Sequence, residues 1–263
     1  MDTIKDIIEK KANQTEVDKI TAGFTASSPE QAAKKKSTSD QQVVLHQWDI
    51  SPYCSKIRKV LEAKNIPYTV VNYNGLRTLK ANRLTPVGKL PVLDIDGQRI
   101  QDSRKISAYL EEHYTDVPLF PIDNALRADV EIYQDWADES LYWYEVYFRA
   151  MYKDAWASAA AMMCEGRSAF ETACLKLTAR YLFKLCLMAQ GIGRYPNYDV
   201  ENRFKKLMNQ LNDKLADREW LVGDSKTLAD IAVAAQLQEI LRTSHLAEYM
   251  RSLSNLNRWI QQV

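Results

Sequence analysis

Apolar and polar positions along the chain change their rhythm twice. Over residues 1–42, Ile4, Ile7 and Ile8, and later Val17, Ile20 and Phe24, recur at the spacing of short amphipathic helices. The stretch 25–42, TASSPEQAAKKKSTSDQQ, is polar and reads as a linker, so residues 1–42 form a polar N-terminal extension. From Val43 the period shortens. VVLHQWD predicts a strand, Pro52 to Lys64 a helix with Ile57, Val60 and Leu61 inward, and PYTVVNY a second strand. LPVLDIDGQRI reads as two strands joined at Asp96-Gly97, a dipeptide suited to a type I′ turn. Asp102-Ser103 then opens a helix carrying Ile106, Tyr109 and Leu110. This α/β unit covers 43–114. TDVPLFPID, with two prolines, marks a linker over 115–124, and everything from 125 to 263 reads as helix. Candidate spans are 125–153, 154–189 (broken at Gly166), 198–216, 227–242 and 253–262. The fold class is therefore α/β plus all-α.

Composition narrows the function. The 263 residues carry 35 Lys plus Arg against 34 Asp plus Glu, a net charge of +1. A protein held to nucleic acid by phosphate contacts needs a basic excess, so no nucleic-acid partner is expected. No stretch approaches the ~20 uninterrupted apolar residues of a membrane span. The start, MDTIKDIIEKKANQ, introduces acids at once and does not read as a secretory signal. Cys54, Cys164, Cys174 and Cys186 form no Cys-x-x-Cys pair and have no histidine at metal-ligand spacing, so reduced thiols in a cytoplasmic protein and no metal site are expected. His46, His113 and His245 are scattered and build no triad.

Three stretches carry the chemistry: SPYCSKIRKVLEAKNIPYTVV, GKLPVLDIDGQRIQDSRKISAYLEEHY and LVGDSKTLADIAVAA. In that order they resemble the cytosolic glutathione transferase superfamily, over residues 43 to 263. The resemblance implies an N-terminal thioredoxin-like domain that binds glutathione, followed by the all-helical C-terminal domain of that superfamily. Ser-Pro-Tyr at the first helix is most similar to the tau class, whose pattern there is Ser-Pro-Phe. Leu-Tyr-Trp at 141–143 also resembles the metaxin and failed-axon-connections branch, in which transferase activity is not assured.

Ser51 sits where a strand meets a helix N-terminus, whose free amides and positive dipole stabilise an anion. A free thiol with pKa ~8.5 is only about 3% thiolate at neutral pH. A charge-assisted hydrogen bond worth ~1.5–3 kcal/mol lowers that by roughly one to two units. The resemblance makes Ser51 the catalytic donor of that bond to glutathione's thiolate; by itself the same residue reads as a simple helix N-cap. Cys54, one helical turn on, gives Ser-Pro-Tyr-Cys, similar to the glutaredoxin motif with its first cysteine replaced. Cys54 is thus either a redox thiol able to form a mixed disulfide with glutathione or a small buried hydrophobe.

Further assignments follow from the resemblance. Leu90-Pro91 corresponds to the cis-proline bond whose preceding residue pairs with the cysteinyl backbone of glutathione. Lys89 faces the glycyl carboxylate, with Arg77 or Lys80 assisting. Ser103 and the helix start bind the γ-glutamyl carboxylate, and Asp102, where the family usually has Glu, receives the ammonium with one methylene less reach. In the helical half, WADESLYWYEVYFRAMY is dense in aromatics. Tyr144 and Tyr147, together with Tyr53, are the candidates for the electrophile pocket. Thr227 and Asp230 form a capping box and read as structural.

The expected function is conjugation of the glutathione thiolate to a small apolar electrophile, a detoxification chemistry. Glutathione is its co-substrate; no cofactor is required, and the resemblance implies a homodimer. Two alternatives stand beside it: a glutathione-dependent thiol reductase using Cys54, and a non-catalytic metaxin-like binding protein.

Overall fold

The computed structural model describes residues 43–263; the amphipathic and linker readings of 1–42 lie outside the described residues. The first half is a four-stranded mixed sheet in the order β2-β1-β3-β4. Strand β1 (Val44–Gln47) pairs parallel with β2 (Thr69–Asn72), Val44 opposite Thr69, and antiparallel with β3 (Val92–Ile95), Leu45 opposite Leu93. A parallel pair needs a crossover, which α1 (Pro52–Ala63) supplies. Its proline occupies the first turn, where an N–H has no partner to lose, and Ile57, Val60 and Leu61 point into the core. Strand β4 (Gln98–Gln101) returns from β3 through Asp96 (φ 54°) and Gly97 (φ 75°), the two left-handed residues a type I′ turn demands. A 3₁₀ segment, Gly75–Arg83, links β2 to the β3 approach, and α2 (Ser103–His113) closes the unit.

The connection to the second half is pinned rather than loose. Lys64 Nζ, buried, donates to the carbonyls of Tyr114 and Val117 at 2.9 and 2.8 Å and pairs with Glu111 at 2.7 Å. Glu111 in turn accepts the Leu119 and Phe120 amides. The second half is helical among the described residues: α3 (Asn124–Trp136), a π-turn (Ala137–Leu141), α4 (Tyr142–Met151), α5 (Lys153–Met163), α6 (Ala169–Gln190), α7 (Asn197–Lys214), α8 (Leu228–Thr243), α9 (Ala247–Ser252) and α10 (Ser254–Gln262). The expected single helix 125–153 is interrupted by the π-turn, which inserts an extra residue into the winding and resets the helix face. The break near Gly166 (φ 72°) is present, and α9 is an element the periodicity did not announce.

Helix α8 is the axis of the packing. Its inward residues Ile231, Ala234, Leu237 and Ile240 share one core with Val60, Leu61 and Leu110 from the first half. Asp230, fully buried, accepts the Leu221 amide, the Thr227 amide and hydroxyl, and the Trp259 indole N–H, all at 2.8–2.9 Å. Four donors satisfy this charge, so the capping box is also a tie between α8 and α10. A smaller cluster joins Ile50 to Trp156, Ala159 and Met163 of α5. The architecture is a thioredoxin-like β/α domain followed by an α-helical domain. No described helix is long and apolar enough to cross a membrane.

Candidate active site

A cleft of about 540 Å³ opens between the two halves. Its first wall is built by two helix N-termini and one loop. Ser51 caps α1, its Oγ accepting from the Cys54 amide at a long 3.5 Å. Asp102 caps α2, its carboxylate accepting the Arg104 and Lys105 amides at 2.9 and 3.3 Å. It does so at φ 77°, a left-handed conformation costly for a side-chain-bearing residue and held only when the surroundings over-determine it. Between the two caps runs the loop ending in the cis Leu90-Pro91 bond.

Ser51, Tyr53, Lys89, Leu90, Pro91, Asp102 and Ser103 all line this cleft. Lys89 is exposed and makes no ion pair among the described residues. Two helix N-termini and the exposed Lys89 therefore face the same space, an arrangement that suits an anionic ligand. Gln101, next to Asp102, adds a residue that the sequence reading passed over. It also lines the cleft, and its side-chain oxygen is buried without a partner among the described residues. Arg77 and Lys80 do not reach the cleft lining.

Cys54 points the other way. The thiol is fully buried, accepts the Trp48 amide at 3.4 Å, and burial pushes its pKa up to about 11. Desolvation outweighs the hydrogen bonds from Trp48 and Ser51, so the side chain behaves as a small buried hydrophobe.

The opposite wall comes from the helical half. Tyr142, Glu145, Val146 and Arg149 repeat at helical spacing along α4 and face the cleft, with Asp138 and Glu139 of the π-turn below them. Met163 of α5 and Phe183 of α6 add apolar surface. Tyr144 and Tyr147, expected in the electrophile pocket, lie outside it. Tyr144 packs against Phe148 and Phe204, and Tyr147 is completely buried with its hydroxyl donating to Asn197 at 2.7 Å. They occupy the core face of α4, because residues two and five positions after Tyr142 sit on the far side of the helix. The tyrosine that α4 presents to the cleft, beside the expected Tyr53, is Tyr142. Its ring lies 5.2 Å from that of Tyr53, and its hydroxyl makes no hydrogen bond among the described residues.

Charge beneath the cleft is concentrated in two places. Asp138 receives Lys56 Nζ at 2.8 Å and Arg104 Nε at 3.2 Å, and its carbonyl accepts the Tyr53 hydroxyl at 2.6 Å. Lys56 is 1% exposed, and burial pulls its pKa below the ordinary lysine value against the opposing pull of Asp138. Glu145, one helical turn past Tyr142, touches Arg149, whose Nη2 also pairs with Glu239 at 2.8 Å. Desolvation raises the Glu145 carboxyl to about 7 despite Arg149. Among the described residues no cluster of His, Cys, Asp and Glu is placed to hold a metal ion.

The comparisons with known proteins agree with this fold. Residues 45–118 match the N-terminal domain of glutathione S-transferases and residues 204–263 match the C-terminal domain. An isoprene-epoxide–glutathione S-transferase from Rhodococcus sp. is 26% identical over 198 residues, spanning 73% of this chain and 81% of the relative. The crystal structure of a glutathione S-transferase from Methylobacillus flagellatus with glutathione bound is 27% identical, with a TM-score of 0.52 over 84% of this chain and 94% of that one. A probable glutathione transferase from Aplysia californica is 32% identical over 83 residues, which is 31% of this chain but 90% of the relative. On the strength of both domain matches and the continuous likeness to these relatives, the chain belongs to the glutathione transferase superfamily.

Proposed function

We propose that the protein binds glutathione across the N-termini of α1 and α2 and transfers its thiolate to a small apolar electrophile held against α4. The observation that carries this reading is the convergence on one cleft of Ser51, Lys89, Leu90-Pro91 and Asp102-Ser103, which lie as far as 52 positions apart in sequence. Ser51 donates its hydroxyl hydrogen to the thiolate at the positive end of α1. The backbone of Leu90 pairs with the cysteinyl unit, Lys89 neutralises the glycyl carboxylate, and Ser103 with the α2 amides takes the γ-glutamyl carboxylate. Asp102 is occupied in capping α2, so the unpartnered Gln101 oxygen joins it as acceptor for the ammonium. Catalysis then comes from stabilising the thiolate and holding two reactants side by side. Glutathione enters and leaves as co-substrate.

The buried, high-pKa Cys54 offers no thiolate at the cleft, so the geometry favours transfer over a thiol reductase. The family resemblance also carries a homodimer and a cytoplasmic location into this reading, and sedimentation tests the first.

Calorimetry of glutathione binding to wild type and Ser103→Ala, with thiolate absorbance read in the same samples, tests the proposal. Expected are binding that weakens at least tenfold in Ser103→Ala and a thiol pKa lowered by roughly one to two units in the wild-type complex, with the shift lost in Ser51→Ala. No binding at millimolar glutathione would sink the reading.

A further inference from the structure

Helix α6 lies wholly between the two stretches that match the family domains, and it is apolar on two faces of which only one is covered. The inner face is held firmly. Leu175, Ala179 and Phe183 pack beside Trp156, Leu187 enters the main core, and Phe183 reaches the cleft. Arg180 donates to the Ala150 carbonyl at 2.9 Å, the Trp156 indole donates to the Lys176 carbonyl at 3.1 Å, and Glu171 accepts the Leu76 amide at 2.7 Å. The outer face carries Phe170, Leu177, Tyr181, Leu182, Leu185 and Met188. Phe170 and Leu177 are 80% and 79% exposed, and the other four lie between 47% and 64%. Phe170, Leu177, Tyr181, Leu185 and Met188 follow at helical spacing in one stripe about 27 Å long, which Leu182 widens. A helix apolar all round is ordinarily buried all round, and a row of large apolar side chains differs from the scattered single ones of an ordinary surface.

Charge identifies what the outer face meets. From Thr172 to Tyr195 there are four bases and no acid, in a chain whose net charge is +1. Lys176 and Lys184, on one flank of the stripe, make no ion pair among the described residues. Beyond the helix, Tyr195 and Tyr198 are exposed after a turn whose Arg194 holds the Met188 carbonyl at 2.9 Å. A second copy is a poor occupant, because two-fold pairing of α6 sets the lysine flank against itself. We infer that the outer face of α6 docks on a lipid surface carrying anionic headgroups. The apolar stripe enters the headgroup boundary, and Lys176 and Lys184 reach the phosphates. Exposures this high leave no walls beside the stripe, so it meets a plane rather than gripping a partner helix. The helix lies along the surface and does not span it. Phe183, on the opposite side of α6, then holds the cleft about one helix diameter, roughly 10 Å, from the headgroups. This assignment goes beyond the glutathione reading and does not depend on it.

The experiment sediments the full chain with vesicles of phosphatidylcholine alone and with vesicles that also contain phosphatidylserine. Binding to the mixed vesicles is expected, weakening as salt is raised, with roughly tenfold weaker binding to phosphatidylcholine alone. Lys176→Gln with Lys184→Gln should weaken binding to the mixed vesicles about 30-fold, and Leu177→Asp with Leu185→Asp should abolish it. Thermal melts and glutathione calorimetry are expected to match wild type in both pairs. A polarity-sensitive dye on the exposed Cys174, with Cys186→Ser removing the other exposed thiol, locates the contact by a blue shift on the mixed vesicles. The dye and the lysine pair decide even if the aspartate pair does not fold. A full chain left in solution by the mixed vesicles overturns the assignment, as does equal binding to both compositions or binding that survives the aspartate pair. A dimer in sedimentation velocity that the aspartate pair dissociates gives the face to a second copy instead. Binding of an amphipathic Leu and Glu peptide without binding of vesicles gives it to an acidic partner helix, and either result overturns the lipid assignment.

Discussion

Asp138 and Glu145 stand seven residues apart on the same helical wall, both almost completely buried, 4% and 1% exposed. Their surroundings are opposite. Asp138 has a buried lysine and a half-exposed arginine at hydrogen-bond distance, both reaching across from the first half of the chain. Glu145 has part of one arginine, and the next charge beyond that arginine is another carboxylate, Glu239. A buried carboxylate supplied with cations from the facing domain acts as a tie. One that shares a single guanidinium holds its proton up to near neutral pH. The contrast sets a charged anchor and a carboxyl that holds its proton at successive levels of one cleft wall.

The largest effect is expected where the tie is cut. Asp138→Asn strands Lys56 in a site it cannot leave, and should cost about 3–5 kcal/mol in urea unfolding. Replacing both partners, Lys56→Met with Asp138→Leu, should restore most of that loss, because an apolar pair of similar volume avoids the desolvation of two charges. A double variant as unstable as the single one would break the comparison.

Next comes the pH dependence of stability at Glu145. Its folded pKa of about 7 lies above the ordinary 4.5, so the folded state holds a proton that the unfolded state releases. The stability this contributes is complete below pH 4.5 and is lost as pH rises through 7. Wild type should therefore lose on the order of 2 kcal/mol more than Glu145→Gln between pH 5 and pH 8, measured by urea unfolding at both values. Parallel losses in the two proteins would mean that Glu145 is ionised throughout.

The smallest effect sharpens the view of Asp138. The Arg104 side chain is 42% exposed, so Arg104→Gln removes a solvent-screened partner and should cost no more than about 1 kcal/mol. A cost as large as that of Asp138→Asn would shift the anchoring role from the buried lysine to the arginine.

Much of the first wall of the cleft was legible because its signals are local. Ser51-Pro52 and Asp102-Ser103 mark helix starts, Asp96-Gly97 a turn, and Leu90-Pro91 a strand entry, and each is recognisable from neighbouring residues. The second wall was not legible in the same way. A helix dense in aromatics announces burial without saying which face is buried, and Tyr144 and Tyr147 were as plausible as Tyr142 until the neighbours of α4 were known. Spacing could have helped, since Tyr142, Glu145, Val146 and Arg149 share one stripe. The π-turn at Ala137–Leu141, however, resets the phase that residues 125–136 would have passed on. The unpartnered Gln101 oxygen carried no sequence signal, because partnership exists only after folding.

By itself, then, the sequence determined the order of elements, the two helix caps that face the ligand, the hairpin and the capping box. All of these depend on steric preferences and hydrogen bonds between residues a few positions apart. Only the tertiary structure decided that Cys54 turns inward and that Asp138 meets Lys56 and Arg104 while Glu145 meets a shared Arg149. Burial and charge pairing are sums over everything packed around a group. Those neighbours come from α1, α2, α4 and α8, which are brought together by the shared core.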